Sequence, residues 1–224
     1  MHGNPHLVSD VMTRTVVTVG REATFKEIVR ILEEHEVSAL PVLDGAGQIV
    51  GVVSEADLLP KEEFRDDDPD RRTQMRRLAD LAKAGAVTAQ DLMSAPALTI
   101  HDGATLAQAA RTMARHGVKR LPVVDGAGAL CGVVSRSDLL KVFLRPDEEL
   151  AVEIRQHVVP LLAPPPATAD AVRVEVRDGV VTLTGQLDDE SLVPVAARLV
   201  RAVEGVIDVR CHLGGATGAP DGPS

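Results

Sequence analysis

Short, nearly continuous apolar runs recur along the first two thirds of the chain, each closed by a turn or capping signal. Val16–Val19, Ala39–Leu43 and Ile49–Val53 read as strands. Ala97–Ile100, Arg120–Val124 and Leu130–Val134 answer them later in the chain. Such runs suit a sheet covered by helices better than a half-exposed one, which would alternate apolar and polar residues. Between the first and second strands, Ile28, Ile31 and Leu32 recur at helical spacing behind Thr24-x-x-Glu27. The equivalent helix opens at Thr105-x-x-Gln108. Both openings are capping-box patterns. Asp44-Gly45-Ala46-Gly47 and Asp125-Gly126-Ala127-Gly128 supply the reversals between the second and third strands. A second helix starts at Ser54 and again at Ser135.

These elements are two copies of one β-α-β-β-α unit. Asp10–Leu59 aligns with Asp91–Leu140 at a constant offset of 81 positions without a gap, and about 22 of roughly 50 pairs are identical. Leu40-Pro41-Val42 matches Leu121-Pro122-Val123. Gly51-Val52-Val53-Ser54 matches Gly132-Val133-Val134-Ser135, and Asp57-Leu58-Leu59 matches Asp138-Leu139-Leu140. One such unit buries too little surface to stand alone, so the pattern predicts two copies packed about a pseudo-two-fold axis. Residues 60–90 have no counterpart in the repeat. An acidic run (Asp66, Asp67, Asp68, Asp70) precedes a basic one (Arg71, Arg72, Arg76, Arg77), and the segment reads as a charged linker helix on the surface.

After Phe143 the pattern changes. Leu150, Ile154, Val158 and Leu161 predict a helix over Asp147–Leu162, ended by Pro164-Pro165-Pro166. Val172, Val174 and Val176 alternate, Asp178-Gly179 signals a hairpin, and Val181 and Leu183 alternate on the return. Leu192–Val203 reads as a helix and Val206–Val209 as a last strand. The Gly/Pro-rich residues 214–224 read as a disordered tail. The expected fold class is α+β: a pseudo-two-fold pair with repeats at 8–59 and 91–143, then a small αββαβ domain at 147–213.

Composition narrows the function. The chain has three Phe, no Tyr and no Trp, which removes the aromatic platforms of single-strand nucleic-acid binding. Its formal net charge of −9 repels phosphate backbones, so no nucleic-acid partner is expected. The two cysteines, Cys131 and Cys211, form no C-x-x-C pattern and read as small buried hydrophobes; no metal site is expected. The N-terminus lacks the pattern of a signal peptide, and no apolar stretch is long enough to span a bilayer, so a cytoplasmic location is expected. His35 and His116, paired by the repeat, read as cations suited to helix C-termini.

Ser54-x-x-Asp57 and Ser135-x-x-Asp138 stand at strand ends where helices begin, and two readings share that geometry. In one, serine caps the helix and aspartate completes a capping box. In the other, free N–H groups and the serine hydroxyl meet an anion while the carboxylate accepts ribose hydroxyls.

The paired endings GVVSEADLL and GVVSRSDLL, the openings DVMT and DLMS, and the strands VSALPV and VKRLPV resemble a tandem CBS (cystathionine-β-synthase) domain pair, or Bateman module, over residues 8–143. The resemblance implies adenosine sites in the cleft between the repeats and assembly into a homodimer. Carried over by position, Asp57 and Asp138 would bind ribose hydroxyls, and Ser54 and Ser135 would contact phosphate. Thr18, Val37, Ser38 and Ala39 would line one pocket; Thr99, Val118, Lys119 and Arg120 are their counterparts in the second copy. Only the second copy is cationic, at Lys119, Arg120 and Arg136, so phosphates are expected toward Lys119 and Arg120. On that ground Asp138 is expected to matter more to binding than Asp57.

The segments VEVRDGVVTLTGQL and VRAVEGVIDV resemble a BON domain, which implies a phospholipid or protein partner. No nucleophile–base pair, metal triad or phosphate loop of an enzyme is present, so no catalytic residue and no obligatory cofactor are expected. The expected function is regulatory: an adenine nucleotide of the AMP, ADP or ATP class binds in the cleft and is relayed to the BON-like domain. The alternative is a non-catalytic dimeric adaptor, or a membrane-peripheral protein, acting through that domain.

Overall fold

The computed structural model describes residues 6–63, 78–162, 172–187 and 189–215. Two compact units divide the chain: Leu7–Arg136, and Ser137–Ser224 together with Met1–His6. Both mix helix and sheet, as the α+β reading expects.

In the first unit each repeat forms a three-stranded sheet. Strands β1 (Val19–Gly20), β2 (Ala39–Leu43) and β3 (Ile49–Ser54) make one, with β1 parallel and β3 antiparallel to β2. Strands β4 (Ile100–His101), β5 (Arg120–Val124) and β6 (Leu130–Ser135) repeat the arrangement. The register is the same in both: Leu40 faces Val53 as Leu121 faces Val134. Both turns are held by one carboxylate. Asp44 Oδ1 accepts the N–H groups of Ala46 and Gln48 at 2.9 Å, and Asp125 Oδ1 accepts those of Ala127 and Ala129 at 2.9 Å. Gly47 and Gly128 take φ of 78° and 81°, which explains the glycine closing each motif.

Helices α1 (Val8–Val11), α2 (Phe25–Glu34), α3 (Glu55–Leu58), α4 (Pro60–Glu63), α5 (Leu78–Gly85), α6 (Ala89–Leu92) and α7 (Leu106–His116) complete this unit. The capping boxes form as patterned: Thr24 N–H donates to Glu27 Oε2 at 2.7 Å, and Thr105 N–H to Gln108 Oε1 at 2.8 Å.

The openings of the repeats are exchanged. Thr13 bridges Val133 of the second sheet, with reciprocal backbone bonds of 2.9 Å, and Ser94 bridges Val52 of the first at 2.9 and 3.1 Å. Helix α6 donates from Ala89 N–H to Ala23 O, and α1 from Val8 N–H to Ala104 O, both at 2.8 Å. Repeat 1 therefore builds its core from Ile28, Leu32, Leu40, Val42 and Val53 together with Ala86, Ala89 and Leu92 of the chain leading into repeat 2. This exchange shortens the first strands. Instead of Val16–Val19 and Ala97–Ile100, only Val19–Gly20 and Ile100–His101 pair with their own sheets, because the chain leading into them is bridged to the sheet of the other repeat.

The segment between the repeats is helical at α4 and α5, with residues 64–77 outside the described set, so the charge runs there are not placed. It is not confined to the surface. Lys61 Nζ donates to Ala84 O at 3.0 Å and lies 5.3 Å from the Phe25 ring centre, and Pro60 and Ala86 are buried. Helix α8 spans Arg136–Leu140. Leu58 and Leu139 are buried, while Leu59 and Leu140 are exposed.

In the second unit the helical run Asp147–Leu162 is made of α9 (Asp147–Glu153), a π turn (Ile154–Val158) and α10 (Val159–Leu162). Pro160 has no N–H to donate one turn back, and its ring crowds the carbonyl there; the wide π turn just before it relieves both. Strands β7 (Val172–Arg177) and β8 (Val180–Leu187) form a hairpin, and β9 (Asp208–Gly215) lies parallel to β8. Asp178 and Gly179 have φ of 50° and 72°, the positive pair of a tight hairpin turn. The Asp147 carboxylate accepts both of their N–H groups, at 2.7 and 2.9 Å. Helix α11 (Val193–Arg201) covers the sheet, and Ile154, Val158, Val174, Val181, Leu183, Ala196, Val200 and Val209 form the core. The last strand is longer than the predicted Val206–Val209. It pairs along all of β8 and carries Gly214 and Gly215, placed in the tail by composition, into the sheet. Residues 216–224 lie outside the described residues.

Candidate functional site

Helix α3 begins where β3 ends, so Ser54 and Asp57 stand at the rim of the first sheet. Asp57 is 9% exposed, one of two buried charged residues among those described; the other is Asp138 at 8%. Burying a carboxylate requires partners for its lone pairs. Asp57 Oδ2 accepts from Ser54 N–H at 2.8 Å and from Ser54 Oγ at 2.7 Å. Asp57 Oδ1 accepts from Lys83 Nζ of α5, and Ser94 Oγ lies 3.5 Å from it. The capping reading is thus realised, and a counter-charge is added to it.

Asp57 also lines a cavity of about 310 Å³ between the repeats of the first unit. Repeat 1 contributes Ser38, Ala39, Ser54 and Asp57; repeat 2 contributes Val118, Lys119 and Arg120. Arg120 crosses the cavity and donates to Ser38 Oγ at 2.6 Å. Arg136 does not line the cavity; its Nε donates to Val118 O at 3.1 Å. A carboxylate at one end and Lys119 and Arg120 nearby give the cavity acceptors for hydroxyls and donors for an anion. Neither role requires an activated nucleophile.

Seven of the twelve sequence-derived site residues meet in this cavity: Ser38, Ala39, Ser54, Asp57, Val118, Lys119 and Arg120. Thr18 lines a separate, open depression with Arg21, Glu27 and Asp44. Val37, Thr99, Ser135 and Asp138 line neither. Asp138 instead pairs with Lys141 at 2.7 Å. The cationic pair therefore shares its cavity with Asp57 and not with Asp138 of its own repeat. The reason is geometric: Arg120, at the start of β5, reaches Ser38 just before β2, and Val118, Lys119 and Arg120 thereby line the cavity at the Ser-x-x-Asp motif of repeat 1.

Sequence reasoning missed Ser94, Pro96 and Leu98, which also line the cavity. It missed Lys83 as well. Ser94 was visible as the last residue of the DLMS opening; Lys83 lies outside the repeat and carried no signal. Cys131 and Cys211 are unpaired, and burial raises both thiols above their usual range. Among the described residues no cluster could hold a metal ion. No helix among them is long and apolar enough to cross a membrane.

The CBS domain family matches residues 8–61 and 89–145, and the BON domain family matches 146–213. This chain is a tandem CBS protein with a C-terminal BON domain. An uncharacterised protein of Methanocaldococcus jannaschii is 26% identical to this CBS–BON protein over 160 residues, covering 64% of the chain and 95% of that relative. An inosine-5'-monophosphate dehydrogenase of Korarchaeum cryptofilum is 29% identical over 199 residues, covering 82% of the chain but 37% of the enzyme. Among solved structures, CBSX2 in complex with AMP is 31% identical with a TM-score of 0.54, covering 62% of this chain and 97% of CBSX2.

Proposed function

We propose that the CBS pair is a regulatory sensor that binds an adenine nucleotide in the cavity between its repeats. The observation that carries this reading is the convergence of buried Asp57 with Lys119 and Arg120 in one cavity of about 310 Å³. That volume is of the order of a small-ligand site. Asp57 would accept ribose hydroxyls, and Lys119 and Arg120 would hold the phosphate. The AMP complex of CBSX2 supports the ligand class. Binding is non-catalytic in this reading. It acts by favouring one arrangement of the repeats over another, and the bound nucleotide is relayed to the BON domain.

The test is calorimetric titration of the whole protein with AMP, ADP, ATP, S-adenosylmethionine and GTP. Saturable binding of an adenine ligand, weakened in both Asp57→Ala and Arg120→Ala, is the expected result. No binding by any of the five would overturn the reading. Hydrogen exchange over Asp147–Leu162 reads the relay: a change at saturating nucleotide supports it, and a response confined to residues 7–136 leaves the modules independent.

A further inference from the structure

Buried Asp57 has four lone-pair positions, two on each oxygen. Ser54 takes both on Oδ2, through its N–H and its hydroxyl. On Oδ1 the Lys83 ammonium takes one, and Ser94 Oγ lies 3.5 Å away. The Ser54 bonds belong to the start of α3 and cannot be released without uncapping it. One arriving hydroxyl can take the place of Ser94 Oγ on Oδ1, but the second hydroxyl of a cis-diol is left with only the position that Lys83 holds.

Lys83 comes from α5, outside both repeats, and its side chain is 20% exposed. It does not line the cavity that Asp57 lines. The ammonium thus engages the carboxylate from outside the ligand space, in direct competition with anything that binds Asp57 from inside. In the second repeat the equivalent carboxylate, Asp138, pairs with Lys141, three residues along its own chain and 59% exposed. Lys141 is exposed, so its end of this local pair is open to solvent. The Lys83 pair ties the carboxylate to a distinct element, and that element packs on α4 through Lys61 and Ala84.

We infer that Lys83 is an internal competitor for the ligand carboxylate, so that a cis-diol ligand binds Asp57 only by expelling Lys83, and α5 reports occupancy. This inference rests on the nucleotide reading above. It adds a residue that sets affinity and a segment that moves. Because a ligand phosphate would also be attracted to Lys83, the uncharged nucleoside is the discriminating probe. Lys83→Met keeps the apolar stem and removes the charge, which frees one position on Oδ1.

The experiment titrates adenosine and 2′,3′-dideoxyadenosine into the whole protein and into Lys83→Met, with AMP binding to each as the reference. Adenosine should bind Lys83→Met about fivefold more tightly than the unaltered protein, the equivalent of a partly screened ion pair. The dideoxynucleoside, lacking the diol, should gain nothing. Adenosine should also speed hydrogen exchange in Leu78–Gly85 of the unaltered protein. If Lys83→Met lowers the melting temperature, Lys83→Gln, which keeps a donor without the charge, should give a gain of the same sign. Unchanged or weaker adenosine binding in both variants, or protection of Leu78–Gly85, overturns the competition while AMP binding keeps the nucleotide reading intact. Failure of every protein to bind AMP or adenosine overturns both.

Discussion

The Met93 sulfur occupies the space in front of Gly51 so closely that a Cβ on Gly51 would lie 2.5 Å from it, and Met12 stands the same way over Gly132 at 2.6 Å. Each glycine belongs to the third strand of one repeat, and each methionine to the opening of the other. The glycine in Gly-Val-Val and the methionine in Asp-x-Met are therefore two halves of one contact.

Gly51→Ala is expected to lower stability by about 1–3 kcal/mol, the usual cost of overpacking. Met93→Ala alone should also cost stability by leaving a void. The double variant should recover part of the loss, because the alanine methyl then enters the space the thioether vacated. Denaturant unfolding of the four proteins gives the coupling directly, and strict additivity would show that the contact is not what constrains residue 51.

The two aspartates provide the second prediction. Asp57→Ala should weaken AMP binding by about ten- to hundredfold, the scale of losing hydrogen bonds to a charged group. Asp138→Ala should cost less, because Lys119 and Arg120 line the Asp57 cavity. Melting temperatures measured alongside separate this from loss of the α3 cap. A larger loss from Asp138→Ala would return the better site to the second repeat.

Most of the fold was legible because the repeat states it twice. A gapless offset across the strands and turns leaves little freedom of register, and β2–β3 and β5–β6 pair identically. The hairpin at Asp178-Gly179 was legible for a different reason: few residues tolerate two successive positive φ angles. The exchange of openings was not legible. It rests on isolated bridges, Leu7 to Thr105 and Thr13 to Val133 in one direction and Thr88 to Thr24 and Ser94 to Val52 in the other, and isolated bridges leave no periodicity in a sequence. The same gap hid which aspartate shares a cavity with Lys119 and Arg120, since the repeat pattern says which residues are equivalent but not which of them come together. Lys83 was hidden more completely, in a segment with no partner copy to compare.

Arg120 provides the third prediction. One of its guanidinium nitrogens is engaged by Ser38 at 2.6 Å, and the remaining donors can serve a phosphate. Arg120→Ala should weaken AMP by about tenfold, an estimate for one charge-assisted contact. Adenosine should change much less, so the preference for AMP over adenosine narrows. Raising salt should weaken AMP binding less in the variant than in the unaltered protein. An equal loss for both ligands would mean that Arg120 shapes the cavity through Ser38 without meeting the phosphate.

The last prediction uses the difference between the two capping boxes. Glu27 closes the first and Gln108 the second, with nearly the same geometry: 2.7 Å to Thr24 N–H and 2.8 Å to Thr105 N–H. Hydrogen bonds from the Thr24 backbone and then its side chain hold the Glu27 carboxyl below its ordinary value of 4.5. A carboxyl whose value is lowered by folding binds fewer protons in the folded state. Its contribution is therefore complete above the unfolded value and disappears as pH falls through the lower folded value. Gln108 has no such titration, so its box should hold at any pH. Thr105→Ala should cost about 1 kcal/mol at neutral and acid pH alike. Thr24→Ala should cost more near neutrality than at acid pH below the lowered folded value, where Glu27 is protonated and its Oε2 accepts the two Thr24 bonds without the charge that strengthens them. Glu27→Gln should make the first box behave like the second. Unfolding curves at the two pH extremes decide the matter, and equal pH sensitivity in Thr24→Ala and Thr105→Ala would show that the charge on Glu27 contributes nothing to its cap.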